Sequence, residues 1–114
     1  ILYTIERFAE LSAGAQARLA RLGLDEKVEF KIGDGSLGWP EAAPFERIIV
    51  TAAAPELPPA LRSQLAEDGV LVAPVGRRRQ KLEIGRVEKG RYEARQDLAV
   101  IFVPLVGEAG VPED

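Results

Sequence analysis

Two acidic residues stand where predicted strands end, and they could bind a nucleoside. Glu6 follows the apolar segment Ile1–Ile5, and Asp34 follows Val28–Ile32, which alternates apolar and charged residues. At the carboxyl end of a parallel strand, a carboxylate can accept hydrogen bonds from ribose hydroxyls or from the exocyclic amine of adenine. The glycines on both sides of Asp34 allow a positive φ and close approach of a ligand. Each acid has a plainer interpretation, because Glu6 could complement the positive end of a following helix and Asp34 could be an ordinary turn residue. Together they favour nucleoside binding more than either does alone.

A second candidate region is the run of small residues Thr51–Pro55. It follows Arg47–Val50, whose consecutive β-branched residues are typical of a central strand buried on both faces of a parallel sheet. Small side chains would let another group approach the backbone, and ligands of open α/β sheets bind at the carboxyl ends of strands. A tight strand-to-helix connection without any ligand explains the same run equally well.

The composition excludes several kinds of chemistry. The chain has no cysteine and no histidine, so it lacks thiolate nucleophiles, disulfides, imidazole bases and the usual zinc ligands. Glu83, Glu88 and Glu93 are spaced like exposed strand and turn acids, and we predict no metal site. The single tryptophan, Trp39, could line a pocket or cap the core, and the sequence does not separate these roles.

Charge and hydropathy are typical of a soluble globular protein. The net charge of -3, with 29% charged and 46% hydrophobic residues, gives no reason to expect nucleic acid or an anionic membrane as a partner. We interpret Arg77–Arg79 as a solvated turn. Apolar runs stay far below the roughly 20 residues that span a bilayer, so we expect a cytoplasmic protein.

The order of predicted elements indicates an α/β fold. A helix with an apolar stripe, ending at Gly23, separates the first two strands, and a second helix begins after Pro59. The predicted later elements are an inner helix face at Leu61 and Leu65, a break at Asp68-Gly69, and strands at Val70–Val75, Lys81–Glu88 and Leu98–Leu105. We therefore predict one domain over residues 1–114, with a mostly parallel sheet that ends in an antiparallel hairpin.

Several motifs resemble the protein-L-isoaspartate O-methyltransferase family nearly from end to end. They are Tyr3–Arg7, Gly33–Gly35, Gly38–Pro40, Ala43–Phe45, Ile49–Pro55, Pro59–Leu61, Gln64-Leu65, Gly69–Gly76, Gln80 and Val103–Gly107. The resemblance implies a Rossmann-like, S-adenosylmethionine-dependent methyltransferase that repairs damaged proteins by methylating the free carboxylate of L-isoaspartyl residues. Such a carboxylate is already ionised at neutral pH, so the transfer needs positioning and no general base.

The resemblance also implies roles for individual residues. Glu6 would hold the ribose of the cofactor, Asp34 and Gly35 its adenine, and Thr51 and Ala52 would complete cofactor binding. The residues implied to meet the isoaspartyl peptide are Ala53, Ala54, Pro55, Gln80, Leu105 and Val106, within the loop Thr51–Pro55 and the segment Val103–Val106.

The family's glycine-rich cofactor loop and its hydroxyl-bearing substrate segment would lie before Ile1, and so would its catalytic residues. The chain has no methionine and opens on a strand, so we expect a piece of a longer protein, similar to the C-terminal part of such an enzyme. Ile1–Ile5 and Arg47–Val50 would each lack a neighbouring strand. We expect the isolated chain to be inactive and unstable as a monomer unless it pairs with the missing half or self-associates. The alternative is a non-catalytic α/β module that binds a nucleoside or a partner chain.

Overall fold

In residues 1–113, which this computed structural model describes, six strands and two helices form. They are β1 (Leu2–Glu6), α1 (Ala9–Arg21), β2 (Val28–Ile32), β3 (Phe45–Ile49), α2 (Pro59–Ser63), β4 (Leu65–Val75), β5 (Gln80–Glu88) and β6 (Arg91–Val100). Short 3-10 turns occupy Asp25–Lys27, Gly35–Leu37 and Pro40–Ala42. Contacts within the chain group into two compact units, residues 1–35 and residues 36–114.

The first unit is a strand-helix-strand motif. Strands β1 and β2 pair in parallel, with Leu2 opposite Val28, and α1 connects them. The helix ends as predicted: Gly23 has φ 71°, its N–H donates to Ala20 O, and Leu24 N–H donates to Leu19 O. These two bonds form a Schellman motif, which satisfies carbonyl groups at the end of the helix.

The predicted apolar stripe of α1 is only partly covered in this unit. Leu11 is 57% exposed and Leu22 69%, whereas Ser12 is buried. The inward face of the helix is therefore formed by Ser12 with the half-buried Ala15 and Leu19, whereas Leu11 and Leu22 lie open.

The second unit contains a four-stranded mixed sheet in the order β3-β4-β5-β6. Strands β3 and β4 are parallel, and β5 and β6 continue the sheet in antiparallel pairs. The core of this unit comprises Leu61, Leu65, Leu71 and Ala73, with Ile48, Val50, Leu57, Val87 and Tyr92 packed around it. Helix α2 thus contributes Leu61 to this core.

The prediction that Arg47–Val50 is a central strand buried on both faces is wrong for this chain. Strand β3 is an edge strand, and its Ile49 is 75% exposed. Consecutive β-branched residues show that both faces of the strand suit burial, but within residues 1–113 only β4 pairs with it.

Two predicted boundaries are also wrong. The sequence predicts Leu65 on the inner face of the second helix, but Leu65 begins β4. The chain path of β4 bends at Asp68 (φ 62°) before pairing with β3 resumes at Val70. The last predicted strand, Leu98–Leu105, is replaced by the earlier strand β6. The antiparallel part of the fold is therefore larger than the sequence predicted.

The turn between β5 and β6 explains why the charged segment after it forms a strand. Glu88 and Arg91 are paired, and the two residues between them, Lys89 and Gly90, both have positive φ. Such two-residue turns match the twist of paired strands and fix their register. Most of β6 is exposed, and its charges suit an edge that must not pair with other chains.

Close packing between these strands occurs at Gly85. A Cβ atom at this position would collide with the ring and hydroxyl of Tyr92, which donates a hydrogen bond to Glu83 Oε2 at 2.7 Å. Burial, together with the neighbouring Glu83 carboxylate, raises the pKa of Tyr92 well above its usual range. The glycine is therefore required by the position of the tyrosine ring.

We expect Gly85→Ala to lower the free energy of unfolding by about 1–3 kcal/mol, as overpacking does elsewhere. Chemical denaturation of the wild type and the variant measures this difference. The control is the same substitution in a Tyr92→Ala background, where the collision is gone and the cost should nearly vanish. An equal cost in both backgrounds would show that Tyr92 is not the reason for the glycine.

Candidate functional site

The two predicted acids lie at adjacent strand ends in the first unit. Glu6 is paired with Ile32 in the parallel register, and Gly33 N–H donates to Glu6 O at 3.0 Å. Asp34 follows directly, so the turn that carries it starts beside the last residue of β1. The structure confirms that these residues lie together, whereas their roles stay predictions.

The Glu6 carboxylate takes part in the start of α1. Its Oε1 accepts a hydrogen bond from the N–H of Phe8, the residue that caps the helix, at 3.2 Å. This contact supports the plainer interpretation of Glu6 as an acid at a helix N-terminus. It does not exclude a ligand, because a carboxylate has two oxygens that together accept about four hydrogen bonds.

The glycines around Asp34 do not use positive φ, contrary to one of our expectations. Positive φ occurs at Gly23, Gly38, Gly76 and Gly90, and neither Gly33 nor Gly35 is among them. A Cβ atom at Gly33 would meet only the end of the Lys31 side chain, at 3.9 Å. The glycine therefore leaves open space beside the turn.

The small-residue loop in the second unit is held on both sides by the chain itself. Ala53 N–H donates to Val103 O at 2.7 Å, and Ala53 O accepts from Leu105 N–H at 2.8 Å. On the other side, Ala54 O accepts from Gly76 N–H at 2.9 Å, just after β4. The loop thus links the end of β4 to the segment Val103–Leu105.

This packing explains why the loop residues are small. Ala53 and Ala54 are each 2% exposed, so larger side chains would have to displace neighbouring backbone. The room that we expected beside these alanines is filled by the protein. Thr51 is exposed, and Ala52 and Pro55 are half-buried, so these positions remain accessible.

Gln80 is buried, and its side-chain amide both accepts a hydrogen bond from the backbone of Phe102 and donates one to it. Its Oε1 accepts from Phe102 N–H at 2.7 Å, and its Nε2 donates to Phe102 O at 3.2 Å. The resemblance implies a substrate contact at Gln80, and that role stays a prediction. In the structure the amide holds Phe102, the residue that precedes Val103.

The remaining predicted substrate residues lie in the same segment. Val103 is 69% exposed, and Leu105 and Val106 are half-buried. Val111 N–H donates to Leu105 O at 2.7 Å, and this hydrogen bond closes a tight loop between the two residues. The structure thus brings Ala53, Ala54, Gln80 and this segment together in one unit.

Gln64 has a similar structural role that sequence reasoning missed. Its Oε1 accepts from Trp39 N–H at 2.9 Å, and its Nε2 donates to Leu37 O at 3.1 Å. Between these residues, Gly38 has φ 66°, and a Cβ there would collide with the Gln64 side chain. The signal available in the sequence was a glutamine next to the predicted core residue Leu65 and a glycine at position 38. Neither residue type indicates which backbone groups the glutamine bonds.

Three further features concern metal ligands, the arginine run and membrane-spanning helices. Among residues 1–113, histidines, cysteines and acids form no group of three that could hold a metal ion. Arg77–Arg79 is exposed, as a solvated turn predicts. No helix over this range has the length and apolar character to cross a membrane.

Known sequences similar to this chain carry one family description. The family model described as Protein-L-isoaspartate(D-aspartate) O-methyltransferase matches residues 2–110. The chain is 47% identical over 111 residues to a protein-L-isoaspartate O-methyltransferase from Staphylothermus marinus, with 96% of this chain and 49% of that protein covered. It is 48% identical to protein-L-isoaspartate O-methyltransferase 2 from Marinobacter nauticus, with 97% and 52% covered. The chain spans about half the length of the curated relatives it matches.

Two solved structures show the same fold. A protein-L-isoaspartate O-methyltransferase superposes with a TM-score of 0.85 at 28% identity, covering 96% of this chain and 35% of that one. A putative protein-L-isoaspartate O-methyltransferase from Plasmodium falciparum, solved in complex with S-adenosyl-L-homocysteine, gives 0.79 at 27% identity, covering 91% and 51%. These likenesses confirm the predicted fold class, an incomplete Rossmann-like α/β fold. The sheet that was predicted to be mostly parallel is a two-stranded parallel sheet and a four-stranded mixed sheet.

Proposed function

The chain belongs to the protein-L-isoaspartate(D-aspartate) O-methyltransferase family, and on that premise we propose that it is part of a protein-repair enzyme. The enzyme transfers a methyl group from S-adenosylmethionine to the free carboxylate of L-isoaspartyl residues in damaged proteins. The family match over residues 2–110 carries this proposal. The activity is assigned to the full-length protein, of which residues 1–114 form the C-terminal portion of one methyltransferase domain.

The first unit supplies residues that fit the nucleoside part of the cofactor. Glu6 is half-buried beside the turn that carries Asp34, and the surface at Gly33 is open. Glu6 is assigned to the ribose hydroxyls, and Asp34 with Gly35 to the adenine, because carboxylates accept hydrogen bonds from both kinds of donor. The complex of the Plasmodium falciparum relative with S-adenosyl-L-homocysteine supports a cofactor of this type.

The second unit supplies residues that are assigned to the cofactor and residues that are assigned to the peptide substrate. Thr51 and Ala52, the accessible start of the loop, are assigned to the cofactor, and Pro55 to the peptide. Val103–Val106 borders the peptide, with its backbone fixed against Ala53. When bound, S-adenosylmethionine supplies an electrophilic methyl group. The protein's residues then need only hold an ionised carboxylate in line with it, which requires no histidine.

The experiment that tests this function is methyl transfer by the full-length protein. We expect S-adenosylhomocysteine to form with a peptide that contains one L-isoaspartyl residue and not with the same peptide containing L-aspartate. The matched pair differs only in which carboxyl group joins the backbone, so it isolates the proposed specificity. Equal rates with both peptides, or no transfer to either by folded protein, would contradict the proposal.

A further inference from the structure

The Gln80 side chain continues a strand pairing that the backbone cannot continue. Gln80 begins β5 and is paired with Val100, the last residue of β6. Two residues further on, Phe102 would need a partner within Arg77–Arg79, but that segment is an exposed turn. The amide of Gln80 provides what a backbone peptide group would, since it accepts from Phe102 N–H and donates to Phe102 O.

Phe102 lies where the chain passes from one set of backbone partners to another. Up to Val100 the chain pairs with β5, and from Val103 to Leu105 it pairs with Ala53 in the small-residue loop. The Gln80 contacts stand between these two sets. They fix the point at which the segment leaves the sheet and therefore how it meets the loop.

A β-bulge at Leu98 lies just before Phe102 and bends the strand there. Lys81 is paired with Ala99 and Leu82 with Asp97, so Leu98 is an extra residue, with φ 33°. Asp97 Oδ1 accepts from Leu98 N–H at 2.9 Å, and this bond, with the Arg95 guanidinium, lowers the pKa of Asp97. Bulges bend a strand and re-aim the residues that follow it.

We propose that Gln80 is a positioning residue for the isoaspartyl peptide, acting through the backbone of Phe102 on the segment Val103–Val106. The inference rests on the proposed function, because that function assigns this segment to the peptide. Gln80 need not touch the peptide itself. Its buried amide sets the segment against Ala53, and the exposed side of the segment then presents Val103 outward.

The test compares Gln80→Leu and Gln80→Glu with the wild type in the full-length enzyme. Leucine can form neither hydrogen bond, and we expect it to raise KM for the isoaspartyl peptide by about 5- to 100-fold with a much smaller change in kcat. Binding of S-adenosylhomocysteine should stay unchanged. Amide hydrogen exchange of residues 102–105 should become faster, and this readout does not depend on activity.

Gln80→Glu gives a pH signature that simple destabilisation would not. An ionised carboxylate accepts from Phe102 N–H but repels Phe102 O, whereas a protonated one can also donate. The KM of this variant, relative to the wild type at the same pH, should therefore fall as pH is lowered from about 8 to about 5. Burial favours the protonated carboxyl, whereas the sequence neighbours Arg79 and Lys81 favour the ionised one, and the titration falls where these effects balance. The KM ratio of Gln80→Leu should stay constant over that range.

The matched control is Gln64→Leu, which removes the same two kinds of hydrogen bond from the Leu37–Trp39 loop. It should lower stability but leave KM for the peptide near the wild-type value. An active Gln80→Leu enzyme with unchanged KM and unchanged exchange at residues 102–105 would overturn the positioning role. A wild-type enzyme that transfers no methyl group contradicts the proposed function instead, and the exchange measurement separates the two failures.

Discussion

Replacing Glu6 with glutamine, or Asp34 with asparagine, should weaken binding of S-adenosylhomocysteine to the full-length protein by about 10- to 150-fold in each case. That range corresponds to the loss of a hydrogen bond to a charged group, about 1.5–3 kcal/mol. The amide side chains preserve shape, and glutamine at position 6 can still accept the hydrogen bond from Phe8 N–H that starts α1. The fold should therefore survive, which circular dichroism can verify, and calorimetric titration measures the affinity.

The controls for this prediction are Glu10→Gln and Asp25→Asn, which neutralise exposed acids in the same unit. They change the net charge by the same amount without removing an acid that is assigned to the cofactor. We expect wild-type affinity from both controls. If Glu6→Gln and Asp34→Asn also bind with wild-type affinity, the assigned cofactor roles are wrong.

The largest loss of stability is expected from Leu71→Ala. Leu71 is completely buried in β4, at the centre of the core formed with Leu61, Leu65 and Ala73. Shortening it removes apolar contacts and leaves a cavity, which costs about 2–5 kcal/mol for leucine-to-alanine changes. The free energy of unfolding from denaturant titration measures the effect.

Leu71→Met is the matched control, because methionine has a similar volume and leaves no comparable cavity. Volume-conserving substitutions of this kind usually cost less than about 1.5 kcal/mol. If alanine and methionine destabilise equally, the cavity explanation fails. If alanine costs less than about 1 kcal/mol, Leu71 does not sit at the centre of the core.

Local sequence patterns predicted the elements whose structure depends mainly on residues close in sequence. The alternation of Val28–Ile32 gave β2 with the observed bounds, and Gly23 gave the end of α1 because a left-handed residue there closes the Schellman motif. The placement of Glu6 beside the Asp34 turn also followed, since parallel strands end at the same edge. These features depend on residues close in sequence or on the general geometry of βα units.

The errors arose where pairing with distant residues decides the structure. Arg91–Asp97 carries no apolar run, and only the turn at Lys89-Gly90 and the neighbouring β5 make it a strand. A central position for Ile48–Val50 needs a second neighbouring strand, and burial of both faces needs a layer packed on each. Within residues 1–113 β3 pairs with β4 alone and Ile49 is 75% exposed. Hydrophobic periodicity reports what a strand could bury, not what is present to cover it.

The roles assigned to the candidate site residues stay predictions, and the sequence does not predict the contacts that these residues make. Resemblance assigned both Ala53 and Gln80 to the substrate, whereas the structure shows Ala53 bonded to the segment Val103–Leu105 and Gln80 bonded to Phe102. A glutamine that binds a backbone 22 residues away leaves no periodic mark in the sequence. Such contacts can be found only once the chain path is known.

The most direct test of the central claim is to locate the transferred methyl group. The full-length protein would be incubated with S-adenosylmethionine and a peptide that carries an L-isoaspartyl residue, a glutamate and a free C-terminus, followed by fragmentation mass spectrometry. We predict a single methyl ester, on the free carboxylate of the isoaspartyl residue. A methyl group on the glutamate, on the C-terminus or on a nitrogen atom would contradict the account.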